Sequence, residues 1–500
     1  MTFEMLRSPV RFLKHVLAEV PREKELQEYQ GWWEAEGQQI SEATDRSGTP
    51  WLRMFDRFGN RVDEILFAPE YWKALRKGYQ AGVVWRAFEE NSLLTCHLLQ
   101  YLTCFYDPGL CCPYVVTLAT ALPLEKYGDQ GLKARFLSAL LRKDAGVWQG
   151  ATWMTEVKGG SDLGAAVETV ARAARDRWLL TGDKYFASNV GAELAVVAAR
   201  PEGAPPGVRG LALFLLPRRR EDGSLNYFVR RLKDKIATRS VPTGEVELRD
   251  SEAYLLGPSD RGIHLILEVL NLSRVANSLG SVAVAQRAMA EALAFAERRS
   301  AFGKVLLEHP LLRKQFEERL RALKAAFALA WESAQRLDQV WRENRPDSQR
   351  YHLFRLVAHL AKYWTAELAV QIAKWAMEVH GGLGALQEYP VERWFREAMI
   401  YAIWEGTCHR QILDGLEVME RKGAHRLLFE YLAGWADAQR LRELEARVER
   451  HLALPPAEKE AGAEELFRDL AVFTAEVLRD RPIGPGRSSL REAQPQDFAL

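Results

Sequence analysis

The feature that most constrains this chain is a switch of apolar period, made once and then reversed. Up to about residue 150, segments such as Pro113–Leu122 and Gly131–Leu141 carry apolar side chains every three or four residues, as one face of a helix requires. Between 151 and 257 the pattern breaks into short runs rich in branched and aromatic residues: Arg177–Thr181, Leu194–Ala198, Leu211–Leu216 and Glu245–Leu248. Turn-formers such as Gly182-Asp183 and Gly203–Gly207 separate them, the signature of strands. From about 260 the helical period returns and persists to about 424, with the Ala- and Gly-dense stretch Ser278–Glu297 suited to close helix packing in a bundle. The expected fold is therefore mainly α with a central β domain, an α+β chain in four parts. These are an N-terminal helical domain over 1–150, a β domain over 151–257, a helical bundle over 258–424, and a helical extension and tail over 425–500.

Composition narrows the function classes. Sixty-eight Lys and Arg against 67 Asp and Glu give a net charge of +1, without the basic surplus of a general nucleic-acid binder. Residues 421–500 hold 13 Lys and Arg against 14 Asp and Glu, so the extension supplies no surplus either. The five cysteines (Cys96, Cys104, Cys111, Cys112, Cys408) form no CxxC pair and read as reduced thiols. Apolar runs stop far short of a membrane span, and the first twenty residues mix charge through their apolar positions, so the expected location is the cytoplasm. There is no GxGxxG after a strand, no P-loop, no HExxH and no GxSxG, and the ten scattered histidines offer no metal-ligand spacing.

Three segments carry chemistry. In Met154-Thr-Glu-Val-Lys-Gly-Gly160-Ser161-Asp162 a double glycine before Ser-Asp can turn backbone N–H groups toward a phosphate or the polar edge of a ring. In Gly182-Asp-Lys-Tyr-Phe186-Ala-Ser188 strand alternation puts an aromatic and a hydroxyl on one face, or simply builds a half-buried strand. In Ile403-Trp404-Glu405-Gly406-Thr407 a carboxylate follows an apolar run, so it is either salt-bridged or a base whose pKa burial raises.

In this order and on this helix–strand–helix background, these segments resemble the acyl-CoA dehydrogenase superfamily of flavoproteins, and within it the adaptive-response (AidB) branch. Met154–Asp162, Gly182–Ser188, Arg299–Gly303, Gly381–Gly384 and Trp404–Thr407 correspond to its MTE…GGSD, GxKxxxS, RxxFG, GG.G and YEGT-like stretches, over roughly residues 60–425. The missing proline after Glu156, the GDKYFAS segment, the run Arg231–Ser240 and the IWEG at 403–406 are similar to the AidB branch.

The resemblance implies FAD held between the β domain and the bundle of a homotetramer. Met154, Thr155, Gly160 and Ser161 match positions at the ring edge and diphosphate, and Phe186 and Ser188 those beside the flavin. Arg299 and Phe302 match residues reaching the cofactor of a neighbouring subunit, while Gly381, Gly382, Trp404, Thr407 and His409 close the site. Glu405 matches the base that takes the α-proton of an acyl thioester, and Arg274 an arginine on the substrate side, which is otherwise a helix-start ion pair. No metal is implied. Glu378 replaces the usual glutamine before the double glycine, and Asn271 stands where many dehydrogenases have an aspartate at the CoA side. An aromatic lining of Trp153, Phe186 and Trp404 implies a short pocket, hence a short or branched acyl-CoA. The implied function is an FAD-dependent dehydrogenase handing electrons to an electron-transfer flavoprotein. The alternatives are an AidB-like flavoprotein that binds DNA with little turnover, or an oxygen-using relative.

Overall fold

The computed structural model describes residues 3–343 and 347–481. Pro346 and the Pro/Gly-rich tail after Arg481 lie outside the described residues.

The N-terminal region centres on α1 (Leu94–Tyr106) and α2 (Pro108–Tyr127). Every residue of α1 after Leu94 is buried, as expected of a helix that is apolar all round. Asp107 caps α2, its carboxylate accepting from Leu110 N at 2.8 Å, and Pro108 takes the first helical position, where no N–H is needed. This region also contains strands that the helical reading omits: a hairpin of β1 (Trp51–Phe55) and β2 (Arg61–Leu66). Its connection is an Asx turn, with the Asp56 carboxylate accepting from Phe58 N and Asn60 N, so side-chain capping rather than an apolar run defines the element.

The middle region is a closed barrel. Its strands are β3 (Thr152–Trp153), β4 (Val170–Ala174), β5 (Arg177–Ser188), β6 (Leu194–Pro201), β7 (Ala212–Pro217), β8 (Phe228–Leu232) and β9 (Thr243–Leu256). They run in the order β3-β6-β4-β5-β9-β7; β7 pairs back onto β6, and β8 adds to β9. Strands β6 and β7 are apolar at nearly every position because both of their faces are covered. Ala195, Val197, Phe214 and Leu216 fill the barrel, while Leu194, Val196, Leu213 and Leu215 join the helical core. Alternation of side chains thus welds the barrel to the helices, and the uninterrupted run is its sequence mark.

One buried ion pair closes the barrel near the candidate site. Lys184 Nζ, wholly out of solvent, donates to Glu156 Oε1 at 2.6 Å and to Ala198 O at 2.7 Å. Glu156 also accepts from Thr169 Oγ1 and from the N–H groups of Glu168 and Thr169. The lysine of the GxKxxxS stretch is therefore a strut that fixes the MTE segment to β5.

The helical bundle comprises α3 (Gly262–Ala296), α4 (Pro310–Val340), α5 (Gln349–His380), α6 (Val391–Ile403) and α7 (Cys408–Lys422). Helix α3 is its axis and packs against α1, α2, α4, α5 and α6. Helices α8 (Ala424–Leu432), α9 (Ala438–Leu452) and α10 (Ala463–Asp480) follow, and α10 lies on α4, α5 and α7 with Phe467, Leu470 and Ala471 buried. Gly415 makes that contact possible, since a Cβ there would fall 2.3 Å from the Phe467 ring. No helix among the described residues is long and apolar enough to cross a membrane.

Glu156→Ala removes the only carboxylate within salt-bridge distance of Lys184 among the described residues and strands a buried ammonium. The expected cost is about 3–5 kcal/mol, because the desolvated charge loses its partner. Urea unfolding of E156A checks it, and the apolar double variant E156A/K184M should recover most of the loss.

Candidate functional site

The centre of the site is the turn between α6 and α7. Glu405 has φ +58°, a left-handed conformation costly for a residue with a Cβ, and Gly406 follows at φ +94°. The surrounding protein imposes this conformation through the carbonyl of Glu405. Arg274 Nε donates to it at 3.1 Å and Gln411 Nε2 at 3.2 Å, and Gln411 also reaches Gly406 O at 3.1 Å. Thr407 then caps α7, its hydroxyl accepting from Arg410 N at 3.3 Å.

Arg274 is fully engaged. Its Nη1 donates to Asn271 Oδ1 at 3.1 Å and its Nη2 to Asp414 Oδ2 at 3.2 Å, so each of its three nitrogens is already bonded within the protein. It is the thirteenth residue of α3, well inside the helix rather than at its start, and it acts on the backbone of the turn. Asn271 is tied to it and to Tyr351 Oη at 3.4 Å.

The carboxylate of Glu405 makes no hydrogen bond to the described residues, and loss of water around it pushes its pKa up to about 7, against the opposing influence of Arg274 and Lys362. Sequence reading missed Lys362, Gln411, Asp414 and His359, which complete this surround. The available signal was polar residues inside apolar helical stretches, as in Ala361-Lys362-Tyr363. Trp404 packs on Cys112, Val116 and Val241, and its indole Nε1 has no partner.

The barrel presents the second wall. Tyr185 N donates to Thr155 O at 3.0 Å and Trp153 Nε1 to Ser188 O at 2.9 Å, which fixes Met154 and Thr155 beside the end of β5. Pairing of β5 with β9 slips between Lys184 and Ala187, so both of these face inward while Phe186 and Ser188 face out. Phe186 is 54% exposed. Ser188 Oγ lies 3.2 Å from Thr243 Oγ1, and Thr243 Oγ1 accepts from Lys235 at 3.1 Å. The loop between Lys233 and Val241 therefore bridges the barrel face to Trp404. It is anchored by Lys235, which also bonds Thr238 O and Val241 O, and by Glu397, whose carboxylate accepts from Thr238 N. Trp153 does not line this face: it is 1% exposed and packs edge-on against Tyr227 inside the barrel. Gly160 and Ser161 are exposed on the adjoining turn, and His409 is exposed at the first turn of α7.

The remaining expected residues lie elsewhere. From Arg274 to the end of α3 is about 33 Å of helix, and from Lys362 to the end of α5 about 27 Å. Arg299 and Phe302 follow the end of α3, and Gly381 and Gly382 the end of α5, where Phe295 and His380 stack at 4.4 Å. Phe302 sits at the tip of a small hairpin, 96% exposed at φ +51°. The expected residues thus form two groups, one beside the middle of α3 and α5 and one past their C-terminal ends, and a single chain does not bring them together.

Comparison with known proteins agrees with this architecture. Residues 260–419 match the acyl-CoA dehydrogenase C-terminal domain and 151–251 its middle domain, while 6–144 match the N-terminal domain of the adaptive response protein AidB. The chain is 30% identical to AidB of Escherichia coli (strain K12) over 76% of its own length and 71% of that protein. It is 29% identical to acyl-CoA dehydrogenase family member 11 of Caenorhabditis elegans over 75% of its length, a match that spans 63% of the worm protein. The structure of Caenorhabditis elegans ACDH-11 in complex with C11-CoA superposes with a TM-score of 0.82 at 25% identity, covering 94% of this chain and 86% of that one. By the order of its three matched regions and by these relatives, the chain belongs to the acyl-CoA dehydrogenase family, with the N-terminal domain of its AidB branch.

Proposed function

We propose that this protein is an FAD-dependent oxidoreductase acting on acyl-CoA thioesters, with Glu405 as the base. The observation that carries this reading is the Glu405 carboxylate, free of partners and held near neutral pKa on a turn that two side chains lock through its backbone. A carboxylate with pKa near 7 is a stronger base than a solvated one and is still about half ionised at neutral pH. The α-proton of a thioester is weakly acidic, so the enolate oxygen that forms needs hydrogen-bond donors as well as a base.

Members of this family depend on FAD, and the residues present suit it. The open ring of Phe186 offers a surface for a flat heterocycle, and the hydroxyls of Thr155 and Ser188 offer groups for its polar edge. When bound there, FAD supplies the acceptor for the hydride that leaves the substrate β-carbon. Glu405 takes the α-proton, Arg274 and Gln411 hold its backbone during the transfer, and Trp404 with Val241 excludes water. The C11-CoA bound by the worm relative supports a thioester substrate.

The remote position of Arg299, Phe302, Gly381 and Gly382 supports an assembly in which these residues serve another copy's cofactor. We assign a homotetramer in the cytoplasm, with an electron-transfer flavoprotein as the electron acceptor.

Three measurements test the reading. Purified protein should be yellow, and butyryl-, isovaleryl- or C11-CoA under argon should bleach it; colourless protein, or a spectrum unchanged by all three, overturns the assignment. Glu405→Gln should keep the bound pigment and slow bleaching by about 10²–10⁴-fold. Because burial raises the Glu405 pKa and only the carboxylate takes a proton, the bleaching rate should climb as pH rises through about 7 and level off above it.

A further inference from the structure

Lys362 has no part in the reading above, yet its placement is unusual. It lies in the middle of α5 with no exposure at all. Its one hydrogen bond is a long one, 3.4 Å from Nζ to Ala402 O at the C-terminal end of α6, three residues before Glu405. No carboxylate oxygen of the described residues lies within 4.0 Å of it, in contrast to Lys184, whose burial is matched by a close glutamate. An ammonium removed from water in this way needs a counter-charge nearby.

Titratable and charged groups reach the turn from four elements and one loop. From α3 comes Arg274, and from α7 come Asp414, Arg410 and Cys408. From α5 come Lys362, Arg355, Glu367 and His359, whose Nδ1 lies 2.9 Å from Gln411 Oε1. From α2 comes Cys112, and Lys235 stands on the loop beyond it. Asp414 is claimed by Arg274 and Arg410, and burial pushes the Cys112, Cys408 and His359 groups toward their neutral forms. Lys362, Lys235, Arg355, Glu367 and Glu405 have no salt-bridge partner among the described residues, and of the three cations Lys362 is the one bonded to the carbonyl three residues before Glu405.

We propose that Lys362 is a positioning residue for the base: its ammonium, seated beneath the C-terminal end of α6, supplies, alongside Arg274, counter-charge that keeps the Glu405 carboxylate ionised, while Arg274 also holds the backbone of the turn. Arg274 also faces Asp414 and is the larger of the two cationic influences on Glu405, so Lys362 adds to a positive field already present. The titration behaviour agrees. Loss of water pushes Lys362 down to about 8 and Glu405 up to about 7, and each charge opposes the other's shift. The end of a helix also favours a cation, so Lys362 is well placed even before Glu405 ionises.

This inference rests on Glu405 as the base, but its first test needs no turnover. In the FAD-loaded protein, infrared spectra across pH follow the protonated-carboxyl band that disappears in Glu405→Gln. Lys362→Gln keeps a donor for Ala402 O and removes the charge; Lys362→Arg keeps the charge. The expected result is a midpoint raised by about one pH unit or more in K362Q and near the wild-type value in K362R, since a neighbouring opposite charge shifts a carboxyl by about 1–3 units. A wild-type midpoint in folded K362Q overturns the proposal and leaves Lys362 as a helix cap. If K362Q does not fold, Lys362→Met, which replaces the buried charge by an apolar chain of similar length, is read against K362R in the same way. The pH midpoint of bleaching by butyryl-CoA should move in parallel. If no thioester bleaches the flavin, the assigned reaction fails, while the infrared midpoint still decides the role of Lys362.

Discussion

The bond from Arg274 to the carbonyl of Glu405 is the constraint on which the site depends. A glutamate on a free loop would sample many directions, and its carboxyl would stay solvated. Here the chain direction is set at the carbonyl, in a backbone region that glutamate avoids on its own, and the side chain follows. Because Arg274 stands on the axial helix of the bundle, packing along α3 positions the turn. The helices are thus a mounting for one residue as well as a core.

The barrel is mounted by a different device. β6 and β7 give alternate side chains to two cores, so the barrel cannot shift against the helices without opening both. The register slip in β5 then decides what that rigid wall displays, by turning Phe186 and Ser188 outward where strict alternation would follow Lys184 inward. The Glu156–Lys184 strut keeps the neighbouring Met154-Thr155 segment level with them. Packing fixes the position of this wall, and a single bulge fixes its chemistry.

The helix–strand–helix plan was readable because period is a property of neighbours along the chain, and it appears in Ser278–Glu297 and Leu211–Leu216 without knowledge of the fold. Glu405 was readable for a similar reason, as a carboxylate that breaks an apolar run. The hairpin at 51–66 was not, since its turn is made by the Asp56 side chain and its strands are half-exposed. Nor were the roles of Arg274 and Lys362, because the atoms they serve are 131 and 40 residues away. A motif names the proposed base; the residues that hold its turn are scattered, and their partners are backbone carbonyls that carry no identity. Trp153 shows the opposite error, an aromatic assigned to a pocket that instead completes the barrel interior.

The left-handed backbone at 405 has a consequence for how this fold can change. Glycine would occupy that conformation without steric penalty and would also relieve the interior of an under-solvated acid. On the proposed role of Glu405, the scaffold is under tension with its own reagent: its thermodynamic optimum at this position is an inert residue, and a chain released from the need for a base would gain robustness by discarding it. On that reading, keeping glutamate there is a standing sacrifice of resilience in exchange for reactivity.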